Sequence, residues 1–91
     1  MTNSTIMQKK PNEIPLRTKI LVNNGYKIVD EYFGYQRYKN EDINLTIDFS
    51  GLWCYIVTKE RKMRRLESVQ DLLDIYKERN INAEIKLDLE I

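Results

Sequence analysis

Cys54 is the chain's one thiol, and no histidine accompanies it. Nucleophilic catalysis by serine or cysteine usually draws on an imidazole as base, and common zinc sites need several Cys or His ligands. Neither can be assembled from this chain alone, so no metal and no cofactor is expected. Cys54 lies between Trp53 and Tyr55 in the most apolar stretch. A thiol there is expected to be buried and inert; the sharper alternative, a redox or adduct site, lacks an adjacent base. Carboxylates remain as acid–base groups. Asp30-Glu31 and Glu41-Asp42 are adjacent pairs, which diverge in a strand and face water in a turn. Gly25, Gly34 and Gly51 are isolated, so no glycine loop cradles a phosphate. With these elements missing, the chain is expected not to be an enzyme.

Two other groupings suit recognition better than catalysis. The run Lys59-Glu60-Arg61-Lys62-Met63-Arg64-Arg65 holds five cations and one acid. At a hairpin tip it is either a solvated turn or a foot for phosphate or an acidic surface. Arg64 and Arg65, if in a strand, point to opposite faces, which weakens a single patch. The second grouping is aromatic: Tyr26, Tyr32, Phe33, Tyr35 and Tyr38 crowd one stretch, ahead of Trp53 and Tyr55. Ordinary strand propensity accounts for some of them. Tyr and Trp also supply many binding hot spots, so a protein-binding surface is the functional reading. The candidate partner-binding residues are therefore Tyr32, Tyr35, Tyr38, Lys59, Arg61, Lys62, Arg64 and Arg65. A weaker signal is acidic: Asp71, Asp74 and Glu78 fall on one helix face, solvated or shaped to meet a basic groove.

These groups need elements to hold them. Residues 1–11 are polar and end at Pro11, which reads as a flexible N-terminal arm before a single domain at 12–91. Asn12, Glu13 and an early Pro15 predict a helix over 12–23, ended by Gly25. Tyr26–Tyr38 reads as one long or bent strand with Gly34 a bulge site. Lys39–Asp42 is a turn, Ile43–Phe49 alternates, and Ser50-Gly51 turns a hairpin. Leu52–Thr58 is nearly all apolar, which predicts a central strand covered on both faces. Met63–Leu66 is a short further strand. Ser68 with Asp71 resembles a capping box, and Val69, Leu72, Leu73 and Tyr76 form a helical stripe that Asn80 ends. Ile81–Ile91 alternates strictly, which predicts a terminal amphipathic strand. The expected architecture is α+β, a small two-layer sandwich. It has an antiparallel sheet of four or five strands and two helices, in the order α-β-β-β-(β)-α-β.

Composition bounds what such a domain does. The chain has 91 residues, 42% of them hydrophobic, and a net charge of +1. That supports one modest core and gives no general attraction to nucleic acid or anionic membrane. One cysteine suits a reducing compartment, and residues 1–10 lack the apolar core of a signal peptide, so a cytoplasmic protein is expected. Plentiful Asn, Ile, Lys and Tyr match A·T-rich genomes, including those of Gram-positive bacteria and their phages. The expected function is a non-catalytic protein-binding module, such as a phage or mobile-element accessory protein that inhibits a host factor. A small nucleic-acid-binding protein using residues 59–65 is the alternative. The terminal strand also offers an edge through which a second copy could pair.

Overall fold

Proline at 15 decides how the chain enters the fold. In a computed structural model, which describes residues 10–58 and 60–87, Pro11–Glu13 form one 3-10 turn. The chain then runs extended before helix α1 (Thr18–Asn23). The expected continuous helix over 12–23 is thus cut in two. Proline disfavours helical geometry in the residue before it, and Ile14 is extended at φ −105, ψ 114. The extended segment buries Ile14 and Leu16 instead and bonds to the start of the second helix. The Leu16 amide donates to the Glu67 carbonyl at 3.1 Å, and the Val69 amide to the Ile14 carbonyl at 2.9 Å.

α1 stops where glycine permits it. Gly25 has φ +91; its amide bonds the Val22 carbonyl, and the Tyr26 amide bonds the Leu21 carbonyl. This paired closure satisfies two carbonyls that the helix end would otherwise leave unpaired. Helix α2 (Val69–Glu78) ends the same way. Asn80 sits at φ 58, and the amides of Asn80 and Ile81 return to the carbonyls of Lys77 and Tyr76. At the other end of α2 the Asp71 carboxylate accepts the amides of Glu67 and Ser68 at 2.7 and 3.1 Å.

Between the helices lie five antiparallel strands in sequential order: β1 (Lys27–Tyr32), β2 (Tyr35–Asn40), β3 (Leu45–Ser50), β4 (Trp53–Val57) and β5 (Met63–Arg65). The class is the expected α+β one, but all five strands precede α2, one of them coming from a hairpin that was expected as a single strand. The single strand expected over Tyr26–Tyr38 is a hairpin. Tyr32 faces Tyr35 across a two-residue turn in which Gly34 takes φ +73. A glycine that tolerates positive φ serves a tight turn as readily as a bulge. The bulge falls at Val29, between the pairs Ile28↔Tyr38 and Asp30↔Arg37.

β4 is not covered on both faces. Cys54 and Ile56 are buried, but Trp53 and Val57 are exposed, because the sheet has a helical cover on one side only. The pairing of β3 with β4 is also short. It spans Asp48↔Tyr55, Phe49↔Cys54 and Ser50↔Trp53. Beyond Asp48, β3 stays with β2 as far as Asn40↔Leu45, while β4 stays with β5 as far as Val57↔Met63. The sheet therefore splays between β3 and β4 at that end.

The terminal strand expected over 81–91 is absent from 81–87, which make no ladder; residues 88–91 lie outside the described residues. Ile81, Ile85 and Leu87 pack on the core, and the Asn24 side chain holds Lys86. Its Nδ2 donates to the Lys86 carbonyl at 2.9 Å and its Oδ1 accepts the Lys86 amide at 2.6 Å. Alternation satisfies any extended segment laid across an apolar surface, and here the clasp beside α1 takes the place of a sheet edge. Residues 81–87 therefore form no edge of the sheet. The expected arm also lies largely outside the described residues, at 1–9, and Pro11 belongs to the 3-10 turn.

Candidate interaction surface

Strand alternation sorts the sheet's side chains by face. On the covered face, Tyr38, Ile47, Phe49, Cys54 and Ile56 join α1 and α2 in one core. On the open face, cross-strand pairing sets Tyr32 opposite Tyr35, Tyr35 opposite Ser50, and Ser50 opposite Trp53. The next row along the strands runs Asp30, Arg37, Asp48, Tyr55 and Arg65. Farther from the hairpin tips the face carries Lys39 and Thr46, and Val57 and Met63.

Aromatic and cationic groups on this face order one another. The rings of Tyr32 and Tyr35 stack with centroids 5.1 Å apart and planes 15° from parallel. The Arg65 guanidinium lies 3.8 Å from the centre of the Trp53 ring, a close cation–π contact. Tyr32 remains 60% and Trp53 57% exposed, with Phe33 and Leu52 projecting from the two hairpin tips beside them. Those tips are tied together, since the Gly51 amide donates to the Gly34 carbonyl at 3.0 Å. The result is a continuous apolar and aromatic end to an uncovered sheet.

Asp48 anchors the middle of this face. Its side chain is only 5% exposed although no helix covers it. Arg37 Nε donates to Oδ1 at 2.8 Å, Arg37 Nη2 to Oδ2 at 3.4 Å, and the Tyr35 hydroxyl to Oδ1 at 2.9 Å. Burial, then the bond to Asp48, pushes the Tyr35 hydroxyl up to about 12. The hydrogen bond to Asp48 raises the Arg37 guanidinium above its ordinary value, so it stays charged. At the sheet's edge the Tyr32 hydroxyl donates to Asp30 Oδ2 at 2.9 Å, which raises it likewise.

The sequence-derived candidates divide three ways. Tyr32, Tyr35 and Arg65 share the open face. Tyr38 does not: it is 7% exposed, on the covered face, packed edge-on against Phe49 at 5.8 Å. Alternation puts it three positions from Tyr35, hence on the opposite side. Arg64 also lies on the helix face, where Nη1 meets Glu78 Oε1 at 2.8 Å. Arg61 and Lys62 are exposed in the β4–β5 turn, with Arg61 at φ 64. Lys59 lies outside the described residues. The basic run is therefore shared among a turn and two faces rather than forming one patch.

Sequence reasoning missed Arg37, Asp48 and the tip residues Phe33 and Leu52. Arg37 and Asp48 are opposite charges in register, but that is visible only once the β2–β3 turn at Glu41–Asn44 is fixed. The acidic α2 face is internally engaged: Asp71 caps the helix, Asp74 accepts Gln70 Nε2 at 2.9 Å, and Glu78 holds Arg64. Cys54 is buried as expected, and burial, then the charges of Asp48 and Asp71, pushes its thiol up to about 12. No trio of potential metal ligands gathers among the described residues. Among them, too, no helix is long and apolar enough to cross a membrane. Compared with known protein families, with curated proteins and with solved structures, the chain matches none.

Proposed function

We propose that this protein is a non-catalytic protein-binding module and that it binds through the open sheet face. The observation that carries this reading is the row Tyr32, Tyr35 and Trp53 on an uncovered sheet, ordered by stacking and by Arg65, with Tyr32 and Trp53 exposed and Tyr35 half-buried between them. Rigid aromatics lose little conformational freedom on binding, and Tyr, Trp and Arg dominate interface hot spots. Arg37 neutralises Asp48, and Glu67 lies 3.5 Å from Arg65, while Asp30 adjoins Tyr32 and Lys39 stands farther along the face, so the charges around the row are of both signs. The partner that fits is a protein with an apolar centre and a polar rim of mixed charge. The A·T-rich residue usage adds a narrower reading, a phage or mobile-element accessory protein that acts in its host's cytoplasm by inhibiting a host factor.

The test compares captures from a bacterial lysate by the full chain and by variants. Trp53→Ala and Tyr32→Ala are expected to abolish a stoichiometric protein capture, each weakening binding at least about tenfold, while Arg61→Ala retains it. Unchanged circular dichroism establishes that the variants fold. If the aromatic variants capture as the wild type does, the surface is wrong. Binding of mixed DNA and RNA at low salt, lost with added salt and in Arg61→Glu, would instead support the nucleic-acid alternative.

A further inference from the structure

The splay between β3 and β4 opens a second site. A cleft of about 320 Å³ lies where the two strands part, lined by Arg37, Asn44, Thr46, Asp48, Val57 and Arg79. Arg37, Thr46, Asp48 and Val57 belong to the open face by register, whereas Arg79 caps the C-terminal end of α2. The α2 end therefore reaches the same cavity as the sheet's open face, through the gap that the missing β3–β4 pairs leave.

The charges in the cleft are unequal. Asp48 is its one carboxylate, and its oxygens already accept Arg37 and the Tyr35 hydroxyl. Arg37 remains 43% exposed, and part of its guanidinium is not used by Asp48. Among the described residues no carboxylate lies within ion-pair distance of Arg79, although its charge acts on the neighbouring Glu78, whose own ion pair is with Arg64. Two guanidinium groups thus face one satisfied carboxylate, with the Thr46 hydroxyl and the Asn44 amide as further donors. Beyond Asp48↔Tyr55 the facing edges of β3 and β4 also lack each other as backbone partners, and such groups seek a replacement.

We propose that this cleft binds an oxyanion, a carboxylate or phosphate group, with Arg79 as its principal ligand and Arg37 as the second. The planar fork of arginine matches the paired oxygens of either group, and an arginine oriented by its own carboxylate is arranged before the ligand arrives. The site does not depend on the aromatic row. A small phosphorylated molecule and an acidic side chain of a protein present the same chemistry.

The experiment is a nuclear magnetic resonance titration of the full chain with two probes at constant ionic strength. One probe is inorganic phosphate; the other is an end-blocked peptide whose only carboxylate is a glutamate side chain. Saturable shifts are expected at the amides of Asn44–Thr46 and Ile56–Val57 and at Arg79 Nε. Arg79→Gln should weaken binding about tenfold and Arg79→Lys by less, because charge survives without the fork. Arg17→Gln, at the exposed start of α1 and outside the cleft's lining, should titrate like the wild type. Tighter binding of phosphate assigns a phosphorylated ligand, and tighter binding of the peptide assigns an acidic side chain. The proposal is overturned if neither probe saturates beyond a chloride control, or if Arg79→Gln titrates unchanged.

Discussion

Asp48 and Cys54 show how far a residue's surroundings depart from its type. An aspartate on a face without a helical cover would ordinarily sit in water. Arg37 and Tyr35 close over this one, so the centre of the open face is a fixed polar knot. Cys54, one pair away on the covered face, shows the reverse: a thiol able to ionise is kept protonated by burial. Its ordinary value of 9.0 rises to about 12 in the fold. Below pH 9 the thiol is neutral both folded and unfolded, and its full contribution to stability is present. As pH rises from about 9 to about 12 the unfolded chain releases this proton while the fold retains it, so that contribution is lost. The stability difference between the wild type and Cys54→Ala should accordingly narrow over this range, as read from urea midpoints. A constant difference would show that the thiol titrates in the fold as it does unfolded. Thiol reagents at neutral pH should modify Cys54 only through opening of the fold, so that modification quickens as urea destabilises it.

At the scale of elements, the helix ends were legible and the entry helix was not. Gly25 and Asn80 announce positive φ, and both close their helices by the same two-bond motif. Asparagine tolerates that conformation less well than glycine. Asn80→Gly should therefore stabilise the fold by about 0.5 kcal/mol, measured as a higher thermal midpoint. An unchanged or lower midpoint would show that glycine's larger unfolded-state freedom outweighs the relief. The stripe on α2 also behaves as read: Val69, Leu72 and Tyr76 are buried, with Ile75 beside them and Leu73 partly so. The entry helix misled because capping residues and an apolar stripe suit a helix equally well whether or not proline interrupts it. The extended alternative wins through bonds to residues 67 and 69, more than fifty positions away.

At the scale of the molecule, one sheet is built from two parts that share a short seam. β1–β2–β3 hold together along longer ladders, that of β1 and β2 broken by the bulge at Val29, while β4–β5 join them through three residue pairs. Local opening is cheapest where few bonds must break. Hydrogen exchange should therefore be slowest along the β2–β3 ladder and about ten to a hundred times faster across β4–β5. Uniform protection across all five strands would mean that the seam opens only when the whole fold does. The same seam creates the cleft, so the proposed protein contact at the aromatic end and the proposed anion site at the splayed end would use different parts of one face.

The sequence by itself determined the α+β class, the meander, helix α2, both helix stops and the burial of Cys54. Each rests on a local cause: a period of two or 3.6 residues, a residue that accepts positive φ, or a thiol in an apolar run. Tertiary structure decided which faces would be covered. Tyr32, Tyr35 and Tyr38 are alike as residues, and only hairpin register with a one-sided helical cover leaves Tyr32 exposed and Tyr35 half-buried on the open face while burying Tyr38. It likewise joined Arg37 to Asp48, and turned residues 81–87 from an expected strand into a clasped, packed segment. Those outcomes depend on contacts between distant positions, where alternation states that a side chain has two faces to choose from but not which one water will reach.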